Sequence, residues 1–379
     1  MKTTQKRWTK EKGWVPEFAD GPDEKAQLVF LFGASRLLKE QKCFEELRRF
    51  YPKAHFFGCS TAGEICGTQI SDDSLVMTAV NFEYSHIKGA CVALSKSVDS
   101  FKAGELLAGA LEKDGLVHVL VLSDGINVNG SALVKGLTGY LPQNVTVTGG
   151  LAGDGERFRE TLVFWDSAPE KDTIAALGFY GSRLKAGCGS LGGWDPFGPE
   201  RLITRSKGNI LYEFDGKSAL ELYKKYLDEH AKGLPATGLL FPLSIRTNAG
   251  ENAVVRTILS INEDEQSMTF AGDVPEGAYA RLMKANFDRL IDGAVGAAKT
   301  SHEALGSFSP DIAILISCVG RKMILKQRTE EEIEGVRDIL GEKTVLTGFY
   351  SYGEIAPFTP GGKCELHNQT MTITALSER

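Results

Sequence analysis

No two of the seven cysteines stand at CxxC spacing, and an odd count leaves at least one unpaired. Those two facts argue against a disulfide framework and against a structural zinc site. The six histidines occur singly, without an HxxxH or HxH pair, so no preformed metal site is expected. No apolar run approaches the length of a bilayer crossing, which argues against a membrane-spanning segment. A basic excess is missing too: the net charge is −6, and nucleic-acid binders normally carry the opposite sign to release counterions. The opening run MKTTQKRWTKEKGW is basic but has no apolar core of the signal-peptide kind. Residues 1–25 are therefore expected to be a flexible basic tail, and the protein to be cytoplasmic.

What is present is repetition. Residues 58–65 read GCSTAGEI and residues 348–355 read GFYSYGEI. Each octet is preceded by a short apolar run, a helical pattern and a second apolar run. LVFLF, SRLLKEQKCFEELRRF and AHFF lead to the first octet. DIAILIS, CVGRKMILKQRTEEEIEGVRDIL and KTVLT lead to the second. Leu37, Leu38, Phe44 and Leu47 lie at helical spacing, as do Ile333, Val336 and Leu340, with Gly341 placed to end the later helix. A third copy, LVHVLVLS, SALVKGLTGYL and NVTVT, delivers the weaker octet GGLAGDG, where Gly153-Asp154 replaces Gly-Glu. A strand pattern follows every octet: LVMTAVNF, TLVFWD and NQTMTITAL. A chain of 379 residues exceeds the usual size of one core, which suits a duplicated unit.

Such β-α-β units require parallel strands, and in parallel sheets ligands sit beyond the carboxyl ends of the strands. All three octets occupy such ends, as do Ser123-Asp124-Gly125 and Ser317-Cys318. The middle of the chain, around IAALGFYGSRLKAG, LITRS and NILYEF, reads instead as antiparallel additions. EGAYARLMKANFDRLIDGAVGAAKTSHEAL reads as one long helix or a broken pair. The expected fold class is α/β: mixed sheets flanked by helices, built from repeated β-α-β-β units with antiparallel additions, in two pseudo-related halves.

Two literal motifs fail on context. Gly187-Cys188-Gly189-Ser190-Leu191-Gly192 matches GxGxxG, but GWDPFGP follows and cannot open the helix that a dinucleotide site needs. Gly58-Cys59-Ser60-Thr61-Ala62-Gly63 resembles a nucleophile elbow one residue too long, and no histidine is placed to serve as base. The residues expected to line a ligand cleft are Ser60, Thr61, Glu64, Asp124, Asp154, Cys318, Arg321, Tyr350, Tyr352, Glu354 and Asn368. Arg321 either clamps a ligand carboxylate or pairs internally with Glu64 or Glu354. Cys318 is either a thiolate activated by Arg321 or a small buried thiol. Tyr350 and Tyr352 either stack on a flat ligand or fill core, and Asn368 could bridge neighbouring loops. An enzyme using Cys318, or Glu64 and Glu354 as acid and base, is the alternative to a binding module.

GCSTAGEI, GGLAGDG, GGWDPFGPERLITRSKGNILYEFDGKSALELY, ISCVGRK, GFYSYGEIAPF and HNQT occur in the order seen in FIST proteins. The chain resembles a FIST N-terminal domain, placed at 26–216, followed by a FIST C-terminal domain at 217–379. The resemblance implies a sensory, signal-transducing module for a small ligand such as an amino acid. It also implies a separate partner, such as a histidine kinase or a cyclic-dinucleotide enzyme. One branch of the family binds haem b and senses nitric oxide; here His367 is the candidate axial ligand.

Overall fold

Leu28–Gly33 and His55–Ser60 pair in parallel, with Leu31 opposite Gly58, and Leu75–Asn81 joins Leu28–Gly33 antiparallel. The crossover holds two helices, Ser35–Leu38 and Gln41–Phe50, where the spacing predicts one; the chain turns at Lys39-Glu40. In the computed structural model, which describes residues 1–18, 21–247, 253–359 and 361–379, the same plan recurs twice. Leu116–Ser123 runs parallel to Thr146–Leu151 across helix Gly130–Thr138 and antiparallel to Thr173–Tyr180. Ile312–Cys318 runs parallel to Val345–Ser351 and antiparallel to Met371–Glu378. Helices Val319–Leu325 and Thr329–Leu340 fill that third crossover.

Each of these three centres grows into a six-stranded mixed sheet by borrowing a strand that leaves another octet. Glu64–Cys66 pairs with Val345–Ser351, Gly353–Pro357 with Thr146–Leu151, and Val163–Trp165 with His55–Ser60. The exchange is cyclic, so the expected boundary near residue 216 is not a seam between independent bodies. Strands from both sides of it share two of the three sheets.

Period-two alternation explains how the sheets pack. Leu28, Phe30 and Phe32, Leu120 and Leu122, and Ile312, Ile314 and Ile316 meet with Phe57, Phe179 and Phe349 in one core between the three sheets. The intervening residues face outward onto helices. Val29 and Leu31 pack against Leu37, Leu38 and Leu47. Val119, Val121, Ala313 and Leu315 pack with residues of Ser100–Ala110, Gly130–Thr138, Phe287–Ala304 and Thr329–Leu340. Each large apolar side chain so enclosed stabilises by about 1.5–3 kcal/mol, and a one-residue slip of any of these strands would exchange inner and outer sets.

The first glycine of each octet has a structural reason. A Cβ at Gly58, Gly149 or Gly348 would lie 1.9, 1.9 and 1.8 Å from the carbonyl oxygens of Leu31, Val121 and Leu315, on the paired parallel strand. The three positions are equivalent, and no side chain fits at any of them.

Two expectations change, and the rejected GxGxxG match acquires another role. The basic N-terminus is not a free tail where it is described. Lys2–Thr9 is a strand paired with Leu75–Asn81, and the Gln5 side chain donates to the Leu346 carbonyl at 2.8 Å; Ala19 and Asp20 lie outside the described residues. The polar content of KTTQKRWT misleads because this strand lies next to the sheet edge, where only Arg7–Thr9 are covered by Gly13–Val15, and strands so placed tolerate charge. The stretch after Glu276 is a strand, Tyr279–Lys284, and then a helix, Phe287–Ala304, opened by the Asn286 side chain accepting from the Arg289 amide. The GxGxxG stretch lies in strand Leu184–Leu191, where Cβ atoms at Gly187 and Gly189 would strike carbonyls of that same helix. Its glycines seat a helix rather than a phosphate. Between Asp195 and Lys284 an eight-stranded antiparallel sheet is added. No described helix is long and apolar enough to cross a membrane.

Candidate functional site

The octets converge and bond to one another in a ring. Ala62 N–H donates to Tyr350 O and Tyr350 N–H to Gly63 O, both at 2.8 Å. Tyr352 N–H donates to Leu151 O, and Gly153 N–H to Ser60 O. The ring is closed by direct backbone contact between the octets. Most of its side chains serve one another. Ser60 donates to Gly153 O and accepts from Leu162 N–H, each at 2.8 Å. Asp124 accepts from Thr161 Oγ1 at 2.6 Å and from the amides of Ile126 and Asn127. Asp154 accepts from Ser35 and pairs with Arg157. The Tyr352 hydroxyl accepts from Asp154 N–H and donates to Gly155 O, while its ring stacks on Phe158 at 4.2 Å. Asn368 is fully buried and spans Thr257 N–H and Tyr352 O, at 3.4 and 3.5 Å.

The two Gly-Glu carboxyls are held alike. Glu64 accepts from Thr61 Oγ1 at 2.5 Å, Ser74 Oγ at 2.6 Å and Ser74 N–H at 3.2 Å. Glu354 accepts from Ser351 Oγ at 2.6 Å, Thr370 Oγ1 at 3.0 Å and Thr370 N–H at 3.1 Å. Burial pushes both carboxyls up to about 7, against the hydroxyl and amide bonds that pull them down. Glu64 alone of the two lines a cavity of about 430 Å³ beside the first octet. Thr61, Asp72, Asp73 and Arg157 line it from one half of the chain, and Val319, Lys322 and Lys326 from the other. Lys322 Nζ donates to Ala62 O at 3.0 Å and pairs with the exposed Asp72.

Arg321 does not reach either octet carboxyl. It is fully buried and pairs with Glu332 through Nε at 3.1 Å and Nη2 at 2.7 Å, and it also donates to Gly192 O and Leu290 O. Four of its five N–H groups are thereby engaged. Tyr350 lies beside it, its hydroxyl donating to Glu332 at 2.7 Å, with Ser317 donating to the same oxygen. Arg321, expected as a clamp, and Tyr350, expected to stack on a ligand or fill core, are thus parts of a buried network centred on Glu332, a residue the motif reading passed over. Its signal was available: Glu332 falls on the stripe of Thr329, Ile333, Val336 and Leu340 that its helix buries.

Cys318 is not an activated thiol. Burial first, and then the neighbouring Glu354, push it far above its ordinary value, and Arg321 lowers it only slightly. His367 does not suit an axial haem role. Its Nε2 lies 3.0 Å from Ala356 O, and the residue is 1% exposed, so no flat macrocycle reaches Nδ1 without opening the core. Burial lowers it to about 4, leaving it neutral. Among the described residues no cluster of three metal-ligating side chains is found.

Comparison with known proteins follows from this geometry. An uncharacterized protein of Methanocaldococcus jannaschii is 23% identical over 354 residues, covering 86% of this chain. The chain spans 65% of that relative's length. Among solved structures, a chorismatase matches 99% of this chain and 98% of its own, at 9% identity and TM-score 0.38. A cyanuric acid hydrolase from A. caulinodans matches 78% of this chain and 99% of its own, at 11% identity and TM-score 0.19. At those values neither structural likeness bears on fold or chemistry. The FIST N domain model matches residues 27–217 and the FIST C domain model residues 219–357, most of the chain between them. The chain therefore belongs to the FIST family of small-ligand sensory domains.

Proposed function

We propose that this chain senses a small zwitterion, of the amino-acid class, in the cavity beside Glu64. The observation that carries the reading is that cavity's composition: about 430 Å³, walled by both FIST segments and bearing charges of both signs. Lys322 and Arg157 supply cations for a ligand carboxylate, and Asp72, Asp73 and Glu64 supply anions for an ammonium. A volume of this size lies within the range of small-molecule sites and has ample room for an amino acid. Because residues 61–73 and 319–329 approach the guest from different halves, a ligand that binds one arrangement better shifts their relation. A separate partner, such as a histidine kinase or cyclic-dinucleotide enzyme, would read that shift as an altered docking surface.

The test is titration calorimetry of the full chain with individual L-amino acids, for the wild type and Lys322→Met. Saturable binding to the wild type that weakens at least about tenfold in the variant is expected for loss of a charge-assisted contact. Flat titrations with every amino acid would overturn the reading. Haem is not part of it, since His367 offers no accessible nitrogen. A Soret band surviving gel filtration after haem reconstitution would replace the zwitterion with the macrocycle.

A further inference from the structure

A second cavity, of about 440 Å³, lies where the added antiparallel sheet meets helix Gly130–Thr138 and strand Cys364–His367. Arg256 stands at its wall, at the end of the strand Val254–Arg256, and is only 5% exposed. Among the described residues its bonded partners are all backbone carbonyls. Nε donates to Asp273 O at 3.1 Å, and Nη1 to Val255 O at 3.2 Å and Leu366 O at 2.9 Å. Nη2 makes no hydrogen bond among the described residues. The nearby carboxylates are engaged elsewhere: Asp273 with Lys135 at 3.1 Å and Asn129 at 3.1 Å, Glu365 with Lys363 at 3.6 Å.

A guanidinium removed from water without a contacting carboxylate costs several kcal/mol and persists where something repays it. Burial lowers Arg256 to about 10, so it keeps its charge at neutral pH. Carbonyl contacts orient the planar fork but do not neutralise it. The other walls are a mixture: Val134, Val254, Phe358 and Leu366 are apolar, while Lys135 and Lys363 are offset by the carboxylates of Asp273 and Glu365 that line the same cavity, which leaves Arg256 as its unbalanced charge. We infer that Arg256 anchors a second ligand site, taking a small organic anion, carboxylate or phosphate monoester, with an apolar body. The guanidinium would hold the anionic head through Nη2, and the aliphatic and phenyl side chains would cover the body. This site is separate from the Glu64 cavity, with which it shares no lining residue.

The test uses the full chain and three probes of similar size: phenylacetate, phenyl phosphate and the uncharged phenylacetamide. Calorimetry should find saturable binding of at least one anion, with the amide weaker by about tenfold or more. Whichever anion binds tighter tells whether a carboxylate or a phosphate head is preferred. Arg256→Lys keeps the charge but loses the fork, and should weaken that binding about tenfold. Should Arg256→Lys fail to fold, Val254→Trp, at a half-buried position on the wall, should block the cavity with Arg256 intact. Lys322→Met should leave anion binding unchanged, which separates this site from the zwitterion cavity. Equal binding of amide and anions, anion binding that survives these wall variants, or no binding of any probe at millimolar concentration would each overturn the inference.

Discussion

Glu64 and Glu354 stand at the same place in two octets nearly three hundred residues apart, and their immediate surroundings are almost superimposable in chemistry. Each accepts from a hydroxyl three residues earlier, and from both the amide and the hydroxyl of the residue just before its unit's antiparallel strand, Leu75–Asn81 or Met371–Glu378. Burial raises each to about 7. What lies beyond that first contact differs. Glu64 lines an open cavity with Lys322 and Asp72, whereas Glu354 is fully buried and interacts electrostatically with the buried Cys318 and Arg321. One local design thus yields a closed support in one octet and a cavity wall in the other. The repeated motif preserves the turn; the residues around the turn decide whether it can meet a ligand.

The largest effect should come from the ion pair on the closed side. Replacing Arg321 by Met strands Glu332 in a fully buried position and should cost about 3–5 kcal/mol in chemical denaturation. On the open side, Lys322→Met breaks a pair whose Asp72 is 68% exposed, and should cost no more than about 1 kcal/mol. Equal costs for the two variants would erase the distinction between closed and open octets.

Next come the shared glycines. Alanine at Gly58 or Gly348 places a methyl within 2 Å of a carbonyl on the paired strand, and should destabilise by about 1–3 kcal/mol at either position. Because the contact is with the paired parallel strand and not with the cavity, both positions should lose stability whether their octet is closed or open. A loss at only one of them would mean that the two octets bend differently.

How much of this could be read beforehand follows the same division. Local order was legible: apolar runs, helical spacing and recurring octets mark three β-α-β units, and their strands are parallel as such units require. The cyclic exchange of strands was not, because Glu64–Cys66 and Gly353–Pro357 are short segments whose partners lie across the chain. The octets' approach to one another was anticipated, but not the backbone bonding that closes them into a ring. Arg321 stood out as the guanidinium of a motif, yet its partner lay hidden in TEEEIEG, where only helical phase separates the buried Glu332 from its exposed neighbours. Arg157 lay outside every motif, and Lys322, though it closes ISCVGRK, was passed over for its neighbour Arg321; both matter because the fold brings them to one hollow.

The carboxyls themselves should register in the pH dependence of stability. Each holds its proton in the folded chain up to about 7, while the unfolded chain releases it near 4.5. The folded state therefore binds more protons between those values. The stabilisation is full below about 4.5 and is lost as pH rises through about 7, amounting to on the order of 2 kcal/mol per carboxyl between pH 5 and pH 8. Glu64→Gln and Glu354→Gln should each flatten that slope, measured as denaturation midpoints across the range. A slope of opposite sign would show that the hydroxyl cradles outweigh burial.

The smallest effect is the one that separates the twins in function. Glu64 gains its negative charge as pH passes 7, on the wall of the cavity proposed to take an ammonium group. Amino-acid binding should therefore tighten severalfold between pH 6 and pH 8, a change of under about 1.4 kcal/mol. Glu64→Gln should abolish this dependence. Glu354→Gln should leave it intact, since that carboxyl titrates over the same range without lining the cavity. If both variants removed the pH dependence equally, it would arise from a change in the fold shared by the two octets, and Glu64 would have no privileged contact with the guest.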